Sequence, residues 1–128
     1  VVTPTPVRLE AENASRQCAE VKPGGDSGDQ VINFLGNDAL CWNNVNLTGL
    51  TTATARVGAP HANGQAQLRF NDTVLGTLTL TAATGGWSAP NLTDISTNVS
   101  ATGVGRLCLI AVEHPEGAVF SVDYLDLK

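Results

Sequence analysis

The stretch that decides the fold is residues 120–128, Phe-Ser-Val-Asp-Tyr-Leu-Asp-Leu-Lys, taken together with residues 9–13, Leu-Glu-Ala-Glu-Asn. Apolar and polar residues alternate in the C-terminal stretch, as they do in a half-buried β-strand. In the N-terminal stretch two carboxylates stand two residues apart, so an extended strand would point Glu10 and Glu12 to the same side. If the first and last strands lie side by side, Asp123 joins them. In that arrangement the three carboxylates form one cluster.

Two interpretations of this cluster follow from the residues alone. Like charges on one face repel unless a cation or a set of hydrogen-bond donors offsets them. Calcium suits such a cluster because it accepts six to eight oxygen ligands in loose geometry. The alternative is that Glu10 and Glu12 form the solvated face of an edge strand, and spacing alone favours this simpler interpretation.

Length and charge limit the classes of function. The chain has 128 residues, a formal net charge of −5 and only 7 lysines and arginines. It is long enough for one domain with a real core, and it lacks a basic patch for nucleic acid. No apolar run approaches the roughly 18 residues of a membrane span. Residues 1–6, rich in Thr and Pro, indicate the end of an interdomain linker in a larger secreted protein, with the domain itself at 7–128.

The remaining sequence predicts an all-β fold. Short alternating runs are separated by turn signals, and no segment keeps a 3.6-residue period. Residues 65–70 and 74–80 flank Asn71-Asp72, which predicts a hairpin. Many short strands at this spacing are typical of a β-sandwich or jelly roll.

The three cysteines, Cys18, Cys41 and Cys108, favour one disulfide and one remaining thiol in a secreted protein. Three pairings are possible, and the sequence does not decide among them. We favour Cys18–Cys41, with Cys108 as a small buried apolar side chain. A zinc site is disfavoured because neither a Cys-x-x-Cys motif nor close Cys/His spacing is present.

Five short motifs occur in a recognisable order, at residues 9–13, 31–46, 54–57, 84–87 and 120–125. With these motifs the chain resembles the carbohydrate-binding modules of families 6 and 35 and their relative family 36. The resemblance implies a β-jelly-roll sandwich of two antiparallel sheets with no catalytic activity. It also implies that the module binds a plant, algal or microbial polysaccharide and targets an appended glycoside hydrolase to it.

The resemblance favours calcium over the solvated-face interpretation. Modules of this kind carry a structural calcium ion on the acidic pair of the first strand and the Asp of the last strand. These positions match Glu10, Glu12 and Asp123. A backbone carbonyl from around Asp29 or Gln30 completes the implied set.

The implied sugar site lies in loops at one edge of the sandwich, where Trp87 matches an exposed stacking platform and Glu20 a hydrogen-bond acceptor. A flat aromatic ring covers the C–H face of a pyranose while polar groups at its rim bind the hydroxyls. The alternative for Trp87 is a core position, but its Gly, Ser and Pro neighbours favour exposure. Trp42, inside an apolar strand, is predicted to be core.

Two departures from the family pattern concern this site. Asn33 stands where family members commonly have a Tyr, so the second aromatic wall is missing unless Phe34 or a loop residue substitutes. Ala118 stands where the family has an Asn, and His114, Glu116 or Asn33 itself would have to supply that contact. Binding of a chain end or of an acidic sugar is compatible with both changes. A calcium-stabilised structural or adhesive sandwich without sugar binding is the alternative function.

Catalysis is not expected. His61 and His114 are far apart in sequence and lack triad-like neighbours. Residues 113–116 are interpreted as a solvated turn, and Glu10 and Glu12 are assigned to metal rather than to glycoside hydrolysis. No Gly-rich phosphate loop opens a helix.

Overall fold

The computed structural model describes residues 6–16, 19–26, 28–32 and 34–128, so Cys18, Asn33 and most of the predicted linker lie outside the described residues. Within this part of the chain there are eleven strands and one 3-10 helix, and no helix that is long and apolar enough to cross a membrane. The strands are β1 Val7–Glu10, β2 Ser15–Arg16, β3 Glu20–Gly25, β4 Gly28–Ile32, β5 Ala39–Asn46, β6 Thr52–Gly58, β7 Gly64–Phe70, β8 Thr73–Leu80, β9 Thr93–Asn98, β10 Val104–Ala111 and β11 Ser121–Leu127; the 3-10 helix is Ala11–Asn13.

The strands form two antiparallel sheets, which confirms the predicted all-β sandwich. One sheet has the order β3-β4-β11-β6-β9, with β1 also paired to β11, and the other has the order β2-β5-β10-β7-β8. Alternate residues of each strand face the other sheet, and Leu68 of β7, Leu109 of β10 and Leu125 of β11 are fully buried there. Because the strands supply the core, side chains of the loops at the strand ends can form a binding site.

The first and last strands lie side by side, which is the condition on which the carboxylate cluster depends. β1 pairs antiparallel with β11, with Leu9 opposite Leu125 and Glu10 opposite Tyr124. Between β11 and β6 the register shifts, because Val122 and Tyr124 oppose adjacent residues of β6. Asp123 is thus the extra residue of a β-bulge, a device that redirects a side chain. It points the carboxylate of Asp123 away from the alternation of its neighbours.

The predicted hairpin is also confirmed. β7 and β8 pair around Asn71 and Asp72, whose φ angles of 47° and 69° are both positive. Two successive positive φ angles are the signature of the tight hairpin turn that matches strand twist.

The disulfide prediction was wrong. Cys41 is bonded to Cys108, and the predicted partner Cys18 lies outside the described residues. The cause is strand pairing: β5 and β10 are neighbours, and Cys41 and Cys108 stand directly opposite each other with their Cα atoms 4.1 Å apart. Cys108 is therefore not a free thiol.

Loss of this cross-link is expected to destabilise the protein by about 2–4 kcal/mol, because the bond closes a loop with a sequence separation of 67 residues. Urea unfolding of Cys108→Ser measures the loss. Cys18→Ser is the matched control and should keep both the cross-link and the stability. Equal losses from the two variants would contradict the Cys41–Cys108 pairing.

Trp42 is a core residue, as predicted. It is 7% exposed, and its indole N–H donates a hydrogen bond of 3.1 Å to the carbonyl oxygen of Glu10. Because this bond joins β5 to the end of β1, it fixes the backbone from which the acidic residues project.

Candidate functional site

Trp87 lies in the loop 81–92 between β8 and β9, and hydrogen bonds hold this loop against three neighbouring segments. The N–H of Thr84 donates to the carbonyl of Ala59 at 2.8 Å, and the N–H of Ala89 donates to the carbonyl of Gly24 at 2.7 Å. The hydroxyl of Ser121 donates to the carbonyl of Trp87 at 2.5 Å. The backbone around Trp87 is therefore fixed at three points.

A cleft of about 250 Å³ opens beside Trp87. We call it the Trp87 cleft, and it is lined by Lys22, Pro23, Gln30, Ile32, Trp87, Ser88 and Ala118. The indole is half-buried and packs partly against the core, so it is neither fully exposed nor a core residue. The structure thus brings together two of the residues selected from the sequence, Trp87 and Ala118.

Four further residues of the cleft carry its chemistry and were not predicted as sugar-binding residues. Ile32 adds an apolar wall and Lys22 a positive charge. The side-chain amide of Gln30 donates a hydrogen bond of 2.8 Å to Ser88 Oγ. The Oε1 atom of Gln30 is buried without a hydrogen-bond partner among the described residues. The cleft therefore combines apolar walls with a few polar groups.

Glu20 lies at the rim of the cleft rather than among its lining residues. It is exposed on β3 and stands opposite Ile32, two residues from Lys22 and so on the same face of the strand. Asn33 lies outside the described residues, so its predicted contact stays a prediction. His114 and Glu116, named as substitutes for the family's Asn, do not line the cleft.

The four acidic residues predicted to bind metal come from four separate elements. Glu10 ends β1, Asp29 is exposed on β4 and Asp123 is the fully buried bulge residue of β11. Glu12 lies in the 3-10 helix, so the expectation that Glu10 and Glu12 alternate along one strand was wrong. The chain leaves the strand at Ala11, which is buried under the sheet. We call these four residues the acidic cluster.

The charges of the acidic cluster act on one another. Burial raises the pKa of Glu12, and the negative charges of Glu10, Asp123 and Asp29 raise it further, whereas a hydrogen bond with its own backbone opposes the rise. Oε1 of Glu12 is buried with no hydrogen-bond partner among the described residues. Such an arrangement of carboxylates fits a hard cation.

Asp123 is held in place by the β3–β4 turn. Its Oδ2 accepts a hydrogen bond of 2.6 Å from the N–H of Asp26. A Cβ on Gly25 would overlap the carboxylate of Asp123, so a glycine is needed for this close approach. The same turn carries Gly24, whose carbonyl accepts from the Trp87 loop. The acidic cluster and the Trp87 cleft therefore share one support.

Among the described residues, only His61, His114 and Glu116 bring three donor atoms within 4.8 Å of one another.

Comparison with protein-family models identifies one family for this chain. The sequence profile of the family described as "Carbohydrate binding module (family 6)" matches residues 10–128. No curated protein is matched by the chain.

Several solved structures share the fold. A family 6 module from Clostridium cellulolyticum in complex with xylose is 26% identical, with a TM-score of 0.84, and the match covers 95% of this chain and 96% of that one. The C-terminal module of the laminarinase LamC from Zobellia galactanivorans is 20% identical, with a TM-score of 0.83 and coverage of 97% and 99%. A family 43 arabinoxylan arabinofuranohydrolase from Bacillus subtilis is 22% identical, with a TM-score of 0.82; the match covers 95% of this chain and 27% of the enzyme.

Proposed function

Because the chain belongs to carbohydrate-binding module family 6, we propose that it binds polysaccharide through the Trp87 cleft and holds an appended glycoside hydrolase at that polymer. The family is non-catalytic, so this chain is not an enzyme.

The observation that carries the assignment of the site is the composition of the Trp87 cleft. An aromatic side chain and an isoleucine form its apolar surface, and Gln30, Ser88 and Lys22 place polar groups beside them. Sugars present apolar C–H faces bordered by hydroxyls, and sites with this mixture suit such ligands. Glu20 at the rim is exposed and supplies a carboxylate that can accept a hydrogen bond from a sugar hydroxyl.

The cleft contacts few sugar rings at once. Its volume of about 250 Å³ is small, below the roughly 300–1,000 Å³ of typical small-molecule pockets. With Asn33 in place of the family's tyrosine, Ile32 is the apolar partner of Trp87. This pairing favours a chain end over a segment held between two aromatic rings.

Calcium binding to the acidic cluster is part of the proposal. Glu10, Glu12 and Asp123 supply the carboxylates, with Asp29 at the edge of the set. Support comes from the buried, unpartnered Oε1 of Glu12, the full burial of Asp123 and the raised pKa of Glu12. A bound calcium ion would supply positive charge that draws the carboxylates together. It would also tie the end of β1 to the bulge that supports the β3–β4 turn.

The location and the partner domain are also proposals. The Cys41–Cys108 disulfide supports an oxidising compartment, as expected for a secreted protein. The match to about a quarter of a family 43 enzyme supports attachment to a catalytic domain. Xylan, laminarin and arabinoxylan are the first polymers to test, because the structural relatives include a xylose-bound module, a laminarinase module and an arabinoxylan arabinofuranohydrolase.

Affinity electrophoresis on gels containing each polymer, run with calcium and again with EDTA, tests the proposed function. We expect retardation by at least one polymer in calcium. Retardation that persists in EDTA would give calcium a structural role, whereas its loss with an unchanged circular dichroism spectrum would place calcium in sugar binding. No retardation by a broad polymer panel would favour the structural or adhesive alternative.

A further inference from the structure

Three side chains next to Trp87 form a compact group that the sugar cleft does not use. His61 comes from the loop between β6 and β7, and His114 and Glu116 come from the loop between β10 and β11. The two imidazole rings stack with centroids 4.5 Å apart and planes 19° apart. Nδ1 of His61 lies 3.7 Å from Oε2 of Glu116. We call these residues the histidine cluster.

The ring nitrogens of His61 point to a missing partner. Both are buried, and neither has a hydrogen-bond partner among the described residues. A buried polar atom without a partner is costly, and such atoms in folded proteins call for an explanation such as an ion or a water molecule. A neutral imidazole has one nitrogen with a free lone pair, and this nitrogen is the atom that binds a metal.

The hydrogen bonds of His114 select the tautomer in which Nδ1 has a lone pair that could bind a metal. Its Nδ1 accepts from the N–H of Glu116 at 3.1 Å, so this nitrogen carries the lone pair. Nε2 must then carry the proton, which it donates to the carbonyl of Ala62 at 3.1 Å. A metal at Nδ1 would replace the bond from Glu116, and the bond to Ala62 would remain. Metal-bound histidines usually donate their second N–H to a carbonyl or carboxylate in this way.

We propose that the histidine cluster binds a divalent transition-metal ion, with Zn²⁺ as the best match. Two imidazoles and one carboxylate with a water molecule are a typical open zinc ligand set. Donors around a tetrahedral zinc stand roughly 3.3 Å apart, given metal–nitrogen bonds of about 2.0–2.1 Å. The three donors already lie within 4.8 Å of one another, and the side chain of Glu116 is 61% exposed, so it can move inward. The ring of His61, now stacked on that of His114, would have to turn so that the lone pairs of both rings point to one ion.

This site differs from the acidic cluster in both position and chemistry. Calcium prefers oxygen ligands, whereas imidazole nitrogen favours Zn²⁺, Cu²⁺ and Ni²⁺. The ring of His61 meets the ring of Trp87 edge to face, with centroids 5.6 Å apart and planes 80° apart. An ion in the histidine cluster therefore lies close enough to Trp87 for its fluorescence to report occupancy.

Titration of the calcium-saturated protein with Zn²⁺, followed by calorimetry, tests the proposal. We expect one site, and at least about a tenfold loss of affinity in His61→Ala and in His114→Ala, since even outer-shell partners are worth that much. Glu116→Gln should weaken binding as well. Glu113→Gln, an exposed carboxylate in the same loop, is the matched control and should bind as the unmodified protein does. No binding tighter than about 1 mM, or binding unchanged by both histidine variants, would overturn the proposal.

A second measurement keeps the test valid if an alanine variant fails to fold. His61→Gln preserves polarity and removes the imidazole. Cu²⁺ should quench the fluorescence of the unmodified protein, and the quenching should decrease in His61→Gln. It should also decrease in Trp87→Phe, which leaves Trp42 as the reporter. Quenching that stays the same in His61→Gln would show that the ion binds elsewhere.

Discussion

Replacing Trp87 with alanine is expected to abolish retardation by any polysaccharide that the unmodified protein binds. Trp87 is the aromatic residue among the lining of the cleft, and its indole supplies the flat surface on which a sugar ring stacks. Tryptophans in such positions commonly contribute 2 kcal/mol or more to binding, which is about a thirtyfold loss in affinity on truncation. Because binding of a few sugar rings is weak at the outset, a loss of this size leaves no detectable complex. Affinity electrophoresis against the best polymer of the panel measures it.

The control separates lost contact from lost structure. Trp87 packs partly against the core, so the alanine variant is also expected to lose some stability, but less than the roughly 3–5 kcal/mol of a fully buried tryptophan. Thermal unfolding and circular dichroism show whether the variant is folded at the temperature of the gel. Val104 is an apolar residue that is 60% exposed and does not line the cleft, so Val104→Ala should keep full binding. Full binding by a folded Trp87→Ala protein would contradict the proposed site.

The sequence predicted the sheets better than it predicted the irregular positions. Alternation in residues 120–128 and 65–80 directly reflects which side chains face the core, so the last strand and the β7–β8 hairpin followed from it. The strand β3 was not predicted. It contains Pro23 and two glycines, which argue against a strand, but β3 is the edge strand of its sheet, where proline is tolerated. Lys22 was missed for that reason.

The candidate site was predicted only where one residue type carries the chemistry. Trp87 among glycines stands out in a chain with 2 tryptophans, whereas Gln30 and Ile32 look like ordinary strand residues. Their role in the cleft depends on which strand lies beside which loop, and that information is in the tertiary pairing. The Cys41–Cys108 bond was missed for the same reason, since it joins neighbouring strands that are distant in sequence. No residue type in the sequence indicates the bulge at Asp123, so it was not predicted either.

Removal of calcium is expected to lower the free energy of unfolding by about 4 kcal/mol when calcium is initially present at a thousand times its dissociation constant. The acidic cluster explains the direction. Without a cation, the partly buried carboxylate of Glu12 loses hydration and is repelled by Glu10 and Asp123; burial first and these charges second raise the pKa of Glu12. Urea unfolding in calcium and in EDTA measures the difference. Equal stabilities in the two buffers would contradict calcium binding.

The change in the free energy of unfolding caused by Glu12→Gln is expected to have opposite signs in calcium and in EDTA. In calcium the variant should be less stable than the unmodified protein, because a ligand is lost; in EDTA it should be at least as stable, because a repelling charge is lost.

The pH dependence of stability follows from the raised pKa of Glu12. A carboxyl that binds its proton more tightly in the folded state stabilises that state as the pH falls from neutral through the raised pKa towards the ordinary value of 4.5, and the gain is lost again as the pH rises. In EDTA the unmodified protein should therefore gain stability relative to Glu12→Gln as the pH falls. In calcium, protonation of Glu12 competes with the ion, so the greater stability of the unmodified protein should disappear as the pH falls. Glu113→Gln, an exposed carboxylate outside the cluster, should follow the unmodified protein in both buffers. An equal destabilisation of Glu12→Gln with and without calcium would show that Glu12 acts through packing rather than through its charge.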